Sequence, residues 1–353
     1  MPTLRLPALT DVHVHLRDLG ETHKEDFASG TAAALAGGVT TVLAMPNTKP
    51  PVIDSAVFDS AAASVQRQAR ADVGLFVGAA AGNAQAAAAL ADRAVGLKIY
   101  LDATYGPLRV NDWTSLLAHF RTWPRGRVIA VHAEELSIPV AVGLAWAYGQ
   151  RLHLCHVSRR EELAYIQAAK AQGAPITCEV TPHHLFLDET DLPRLGARGQ
   201  MRPPLATPDD RAGLWEMLDV VDCIATDHAP HTLAEKSSDA PPPGIPGLET
   251  TLPLLLTAVA EGRLTLDRLV ALTHTHPRQI FRLPEQPDTY IEIDPDARWT
   301  LPDSGWHTRP GWSAFAGRPA QGRLRRVVLR GQTAFEDGVV LAAPGSGRLI
   351  SPL

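Results

Sequence analysis

The 353-residue sequence predicts a parallel (β/α)8 barrel of the TIM type carrying a small β appendage. Three observations lead there. Eight apolar, strand-like runs alternate with amphipathic or alanine-rich helical stretches between residues 8 and 275. No Gly-x-Gly-x-x-Gly follows the first run, which counts against a doubly wound open sheet. Histidine, lysine and aspartate recur at the ends of the runs, where a barrel gathers its reacting groups.

The runs span 8–16, 40–46, 72–78, 96–102, 127–133, 152–158, 175–181 and 221–227, and helical patterns lie between them at 24–36, 55–70, 113–122, 136–148, 160–171 and 209–218. A proline-rich loop, 240–247, and helical stretches at 248–261 and 266–273 follow the eighth run. From about residue 284 the chain changes character: Trp299, Trp306, Trp312 and Phe315 precede a hairpin-like pair, 323–329 and 332–341, around Arg330-Gly331. Residues 8–283 are therefore read as the barrel, and 284–353 together with 1–7 as the appendage. The alanine run 84–91 is good helix material and carries no functional message.

A net charge of −5 and a pI near 6.3 argue against nucleic acid or an anionic membrane as the main partner. No run has the apolar length of a membrane span, and residues 1–10 lack the layout of a secretory signal. Three cysteines, Cys155, Cys178 and Cys223, are too few for a disulfide framework and point to a reducing cytoplasm.

The first run, Asp11-Val12-His13-Val14-His15-Leu16-Arg17, puts His13 and His15 on one face, because strand side chains alternate. Two converging imidazoles make half of a divalent-metal site. Lys98 on the fourth run, His132 on the fifth, His156 on the sixth and Asp227 on the eighth reach the same end of the barrel. Lys98 stands in an apolar strand, where an unpaired ammonium is costly and a second cation sits badly beside metal ions. A neutral lysine amine can instead add carbon dioxide, giving a carbamate with two oxygens suited to bridging two metals.

These stretches, with Met45-Pro-Asn-Thr48, Gly96-Leu-Lys-Ile-Tyr100, Val131-His-Ala-Glu134, Cys178-Glu-Val-Thr-Pro-His-His184 and Ala225-Thr-Asp-His-Ala-Pro-His231, resemble the amidohydrolase superfamily and, more narrowly, its dihydroorotases. The resemblance covers essentially the whole chain and extends to the dihydroorotase part of the animal multifunctional pyrimidine-synthesis protein. It implies a binuclear zinc centre, with His13, His15 and Asp227 on one ion, His132 and His156 on the other, and carbamylated Lys98 between them. Asp227 would also carry the proton. A third zinc, between Cys155, Glu179 and His132, is the further reading that the animal-type relatives suggest. Arg17 and Asn47 would hold a substrate carboxylate; Arg202, His231, Pro243 and Gly244 would line the pocket. Thr104 and Tyr105 would reach in from a mobile lid. The implied reaction is the reversible ring closure of N-carbamoyl-L-aspartate to L-dihydroorotate. Its rivals are another cyclic-amide hydrolase, such as a hydantoinase or allantoinase, and a non-catalytic scaffold for aspartate transcarbamoylase. The expected partners are the small-molecule substrate, a second copy in a homodimer, and aspartate transcarbamoylase in a complex. His183 and His184 are read as structural, and His23, His119, His274, His276 and His307 as surface or packing residues.

Overall fold

The structure, a computed structural model, describes residues 3–353; residues 1–2 of the expected appendage lie outside the described residues. Leu9–Val14 (β2), Val39–Ala44 (β3) and Asp72–Leu75 (β4) pair in parallel, and Val77–Gly78 (β5), Leu97–Tyr100 (β6), Val128–His132 (β7), Arg151–Leu154 (β8), Ile176–Val180 (β9) and Cys223–Ile224 (β10) continue the circuit. β4 and β5 are two halves of one strand: the first half pairs with β3 and the second with β6. A parallel bridge between Val14 and His228 closes the ring, with His15 N donating to His228 O at 2.8 Å. The barrel is thus eight-stranded, with its strands buried on both faces.

The helices start where the sequence supplies caps. Asp26 caps Phe27–Ala36 (α1), Asp54 caps Ser55–Gln68 (α2) and Asp112 caps Trp113–Thr122 (α4), each accepting a backbone N–H three residues on. Ala84–Ala88 (α3) is a single short turn of helix, while Ser137–Tyr148 (α5) and Arg160–Ala171 (α6) are full-length. The expected helix 24–36 starts late because Asp26 is its cap, and Lys24 turns inward to an ion pair with Glu21 at 2.9 Å. The expected strand 221–227 is regular only at Cys223–Ile224, since Asp227 turns to φ 46° and leaves the extended region. No described helix is long and apolar enough to cross a membrane.

Leu4–Pro7 (β1), Tyr290–Thr300 (β11), Pro319–Leu329 (β12), Gln332–Glu336 (β13) and Val339–Val340 (β14) form an antiparallel sheet in the order β1-β11-β12-β13-β14. The hairpin-like pair around Arg330-Gly331 is β12 and β13; β11 was not singled out in the sequence. The last strand, Leu349–Ile350 (β15), leaves this sheet and pairs in parallel with β4 of the barrel, at Val73 and Gly74, although the sequence reading assigned it to the appendage.

Asp72 ties these parts together. Its buried carboxylate takes two hydrogen bonds from Arg330 Nη1, at 2.7 and 2.6 Å, one from Gln286 Nε2 at 2.7 Å and one from Arg348 N at 2.9 Å. Removing one partner of a buried pair strands the other without its counter-charge. Asp72→Ala is therefore expected to lower unfolding stability by about 3 kcal/mol in urea titration. A loss below about 0.5 kcal/mol would mean that the junction is not a stability determinant.

Candidate metal centre and substrate pocket

The ends of β2, β6, β7, β8 and β10 bring His13, His15, Lys98, His132, His156 and Asp227 together, all buried. His13 Nε2 and His15 Nε2 converge on a single oxygen, Asp227 Oδ1, at 3.3 and 3.0 Å. His132 Nδ1 faces His156 Nε2 at 2.9 Å, and Lys98 Nζ lies 2.9 Å from Cys155 Sγ. Three residues of the pocket hold left-handed backbone: Arg17 at φ 56°, His156 at 36° and Asp227 at 46°.

The protonation pattern shows what such a cluster fits. Asn47 Nδ2 donates to Tyr105 O at 3.0 Å, which turns Asn47 Oδ1 toward His15 Nδ1, 2.7 Å away. His15 Nδ1–H is therefore the donor. Burial pushes the His15 pKa down to about 4, so near neutral pH its Nε2 carries only a lone pair. That lone pair faces a carboxylate oxygen at 3.0 Å with no proton between them. The donor set, imidazole nitrogen and carboxylate oxygen in a dry site, fits a divalent cation such as zinc. His13 differs. Burial and Lys98 oppose its protonation, but Glu179 and Asp227 outweigh them and raise its pKa to about 10.

Among the described residues, three groups have ligand atoms close enough to share an ion: His13 with His156 and Asp227; His13 with Cys155 and Glu179; and His153 with Glu179 and Cys223. The second places His13 beside Cys155 and Glu179, with His13 Nδ1 2.5 Å from Glu179 Oε1, where the resemblance implies His132. His132 instead turns its Nε2 to Glu134 Oε1 at 3.1 Å and its Nδ1 to His156.

The pocket beside these groups is lined by Arg17, Asn47, Tyr100, Thr104, Tyr105, Arg202, Pro243 and Gly244, with free space of ≈ 20 Å³, about one water molecule. A larger groove of ≈ 980 Å³, lined by Arg5, His274, Arg278 and Arg282, holds none of the clustered ligands. Chemistry, not size, identifies the site. Arg17 is buried; its Nη2 donates to His231 Nε2 at 3.2 Å, while Nε and Nη1 have no partner. Burial, then Arg17 and Lys24, depress the His231 pKa and keep that ring neutral. Asn47 lines the pocket, its Oδ1 facing His15 Nδ1 and one Nδ2–H donated to Tyr105 O, with its second Nδ2–H not engaged by these contacts. Arg202 is exposed at the rim, its Nη1 on Met201 O at 3.3 Å. Gly244 has φ +131°, and a Cβ there would stand 2.5 Å from Ala229 O, so only glycine fits.

Tyr105 covers the site. Its ring meets His231 edge-on at 4.9 Å, and its hydroxyl lies 2.5 Å from Glu21 Oε1 and 2.6 Å from Lys24 Nζ. Sequence reading overlooked Glu21 and Lys24. It also overlooked Asp11, which accepts from His13 N and Thr226 N, and His153, whose Nε2 lies 3.0 Å from Glu179 Oε2. Alternation could have found two of these, since Asp11 shares a face with His13 and His15, and His153 with Cys155.

A family model described as dihydro-orotase-like matches residues 3–98. The chain is 35% identical to a dihydroorotase of Pyrococcus horikoshii, over 98% of this chain and 84% of that one. It belongs to the dihydroorotase family. It is also 52% identical to the multifunctional protein CAD of Squalus acanthias over 98% of its own length, but spans only 15% of that protein. Among solved structures, the L-hydantoinase of Arthrobacter aurescens superposes with a TM-score of 0.94 at 26% identity, covering 99% of this chain and 89% of that one. This dihydroorotase-family chain thus shares its barrel with cyclic-amide hydrolases.

His184 gives a test of the electrostatics away from the ligands. Its Nδ1 lies 2.8 Å from Thr181 Oγ1 and its Nε2 3.2 Å from Pro203 O, and burial pushes its pKa down to about 4. Between pH 4 and the free value of 6.5 the folded ring stays neutral while the unfolded one takes up a proton, so stability falls as pH falls through that window. His184→Gln is expected to flatten the slope by up to ~1.4 kcal/mol per pH unit. Denaturant midpoints of both chains from pH 4 to 7 check this; parallel curves would contradict it.

Proposed function

We propose that this chain catalyses the reversible cyclisation of N-carbamoyl-L-aspartate to L-dihydroorotate. The observation that carries the reading is a buried imidazole–carboxylate focus beside a buried guanidinium with two unpaired nitrogens. Arg17 Nε and Nη1 have no partner and Nη2 spends one N–H on His231, so the buried guanidinium keeps N–H donors free for a carboxylate. Dihydroorotate carries one; a simple hydantoin does not, and this disfavours the hydantoinase and allantoinase alternatives. Every expected ligand position is filled, which disfavours a purely structural scaffold for aspartate transcarbamoylase.

As the resemblance implies, His13, His15 and Asp227 would hold one zinc and His132 and His156 another, with Lys98 as its carbamate a further ligand; His13 and His15 face Asp227 Oδ1, and His132 faces His156. The carbamate forms when the amine nitrogen bonds the carbon of carbon dioxide and releases a proton. When bound, the metals polarise the acyl oxygen and supply a water of lowered pKa. Cys155, Glu179 and His13 are the set that would take a third ion.

The chain's own residues do the rest. Arg17 fixes the carboxylate retained by the ring, and neutral His231 steadies Arg17 from behind. Asn47 sets the His15 tautomer and carries the loop of Thr104 and Tyr105 on the same amide. Tyr105 closes the pocket against water, Gly244 and Pro243 give it a flat wall, and Arg202 stands at its rim. Asp227 takes a proton from the attacking water during hydrolysis and returns it to the departing ring nitrogen; closure runs the same transfer backwards. Closing the ring consumes a proton, because two carboxylates become one, so low pH favours closure.

The buried free thiols of Cys155, Cys178 and Cys223 support a reducing cytoplasm. The match to part of a multifunctional protein supports a setting beside further enzymes, of which aspartate transcarbamoylase is the one named from sequence.

Assays in both directions test the reading. Lys98→Ala is expected to abolish turnover and lower bound metal while the chain stays folded, with partial rescue by a small carboxylic acid such as propionate. Arg17→Gln is expected to reduce kcat/KM for dihydroorotate at least ~10-fold and to affect an uncharged cyclic imide little. Wild-type rates from Lys98→Ala would remove the carbamate from the mechanism. Equal losses on both compounds would remove Arg17 from carboxylate binding, and a wild-type chain inactive on dihydroorotate would end the proposal.

A further inference from the structure

One buried side chain of the pocket has no part in the chemistry given so far. Tyr100, the last residue of β6, lines the pocket at 2% exposure, and its hydroxyl has no hydrogen-bond partner among the described residues. Other polar groups around it are engaged: His15 and Asp227 face each other, His132 faces His156, and Asn47 holds the Tyr105 loop. A buried hydroxyl without a partner costs stability that phenylalanine, with the same ring, would not lose. A group kept at that cost on the wall of a pocket marks a place where a ligand supplies the partner.

Its position says which ligand atom that is. In Leu97-Lys98-Ile99-Tyr100, alternation puts Tyr100 on the inward face with Lys98 and roughly 7 Å nearer the mouth. Parallel pairing sets Tyr100 beside His132 of β7, and the two rings lie 6.1 Å apart, centre to centre. Lys98 Nζ stands 5.1 Å from the centre of the phenol ring. Asp227 and Arg17 are among the charged groups near enough to act on the phenol. Tyr100 thus neighbours both the guanidinium that takes the substrate carboxylate and the cluster that surrounds the reacting carbonyl. Arg17 meets the carboxylate, and a phenol, protonated near neutral pH, is a donor for the oxygen left at the cluster, that of the acyl group.

Resting on the cyclic-amide reading above, we propose that Tyr100 is a further catalytic residue, whose hydroxyl donates a hydrogen bond to the acyl oxygen as that oxygen gains negative charge. In hydrolysis the water oxygen bonds the acyl carbon, and the carbonyl π pair moves onto the acyl oxygen. The tyrosine O–H meets that pair and keeps its own proton. When the pair returns, the carbon–nitrogen bond breaks and the ring nitrogen takes the proton that Asp227 carries. Closure passes through the same tetrahedral species in reverse. A donor fixed by packing needs no rearrangement as the charge develops, so its bond is stronger to the tetrahedral species than to the flat ring. The contribution therefore falls on kcat rather than on KM.

Tyr100→Phe in the zinc-loaded protein tests this, since it removes one oxygen and keeps the ring. The kcat for dihydroorotate hydrolysis is expected to fall ~100-fold, with KM changed less than about threefold. An uncharged cyclic imide, which shares the acyl group but not the carboxylate, is expected to lose the same factor, unlike in Arg17→Gln. Bound zinc is expected to stay at the wild-type amount. The thermal midpoint is expected to hold or rise, because the hydroxyl removed had no partner. A rate loss that comes with less zinc or a lower midpoint would make Tyr100 a structural brace and overturn the proposal. A raised KM at unchanged kcat would overturn it too, by placing the hydroxyl on a carbonyl that gains no charge. A wild-type chain inactive on both compounds ends the functional reading and this role with it, whereas an active wild type equalled by Tyr100→Phe ends the role alone.

Discussion

The facing of His15 Nε2 and His13 Nε2 onto one oxygen of Asp227 is the constraint around which the rest of the molecule is arranged. At His15 that contact sets a lone pair against a carboxylate oxygen in a dry interior, which only a proton or a metal cation relieves, whereas Glu179 and Asp227 favour the protonated form of His13. Holding the three groups there takes β2 and the end of β10, which the Val14–His228 bridge keeps side by side as the closing seam of the barrel. Asp11 braces that seam by accepting from His13 N on one side and Thr226 N on the other. Asn47 then fixes the His15 tautomer and, with its other amide atom, the Tyr105 loop. A chain of hydrogen bonds therefore runs from His15 to the Tyr105 loop over the pocket.

Much of this was legible in the sequence because barrels turn linear order into geometry. Runs of apolar residues at regular spacing gave the strands, and their last residues named His13, His15, Lys98, His132, His156 and Asp227. Alternation put His13 and His15 on one face without any knowledge of the fold. What was not legible is what depends on lateral neighbours. Nothing in the spacing of Cys155 and Glu179 says which histidine lies beside them; here it is His13, while His132 Nε2 meets Glu134. Asn47 reads as a substrate ligand from its place after β3, and its contacts to His15 and to Tyr105 O carry no signal in the sequence. The pairing of Leu349–Ile350 with β4 also escaped, since two apolar residues in a tail carry no signal of the strand they will join.

The likeness to hydantoinase and to dihydroorotase separates scaffold from selectivity. A TM-score of 0.94 at 26% identity says that the barrel is common to both. The selectivity proposed above rests on a short set of groups on loops beyond the strand ends: Arg17 with its unpaired nitrogens, neutral His231 behind it, and a wall at Gly244 that admits no side chain. Loops carry such differences because they can change without disturbing the packed strands beneath.

Arg17, His156 and Asp227 share a left-handed backbone that a β-carbon resists, at a cost of the order of 1–3 kcal/mol for each residue. They leave three different strands, so no single loop shape explains the coincidence. Glycine at any of them would relax the chain and erase the side chain that the pocket needs. In this barrel, the route to an unstrained backbone and the route to a working one part at these three positions.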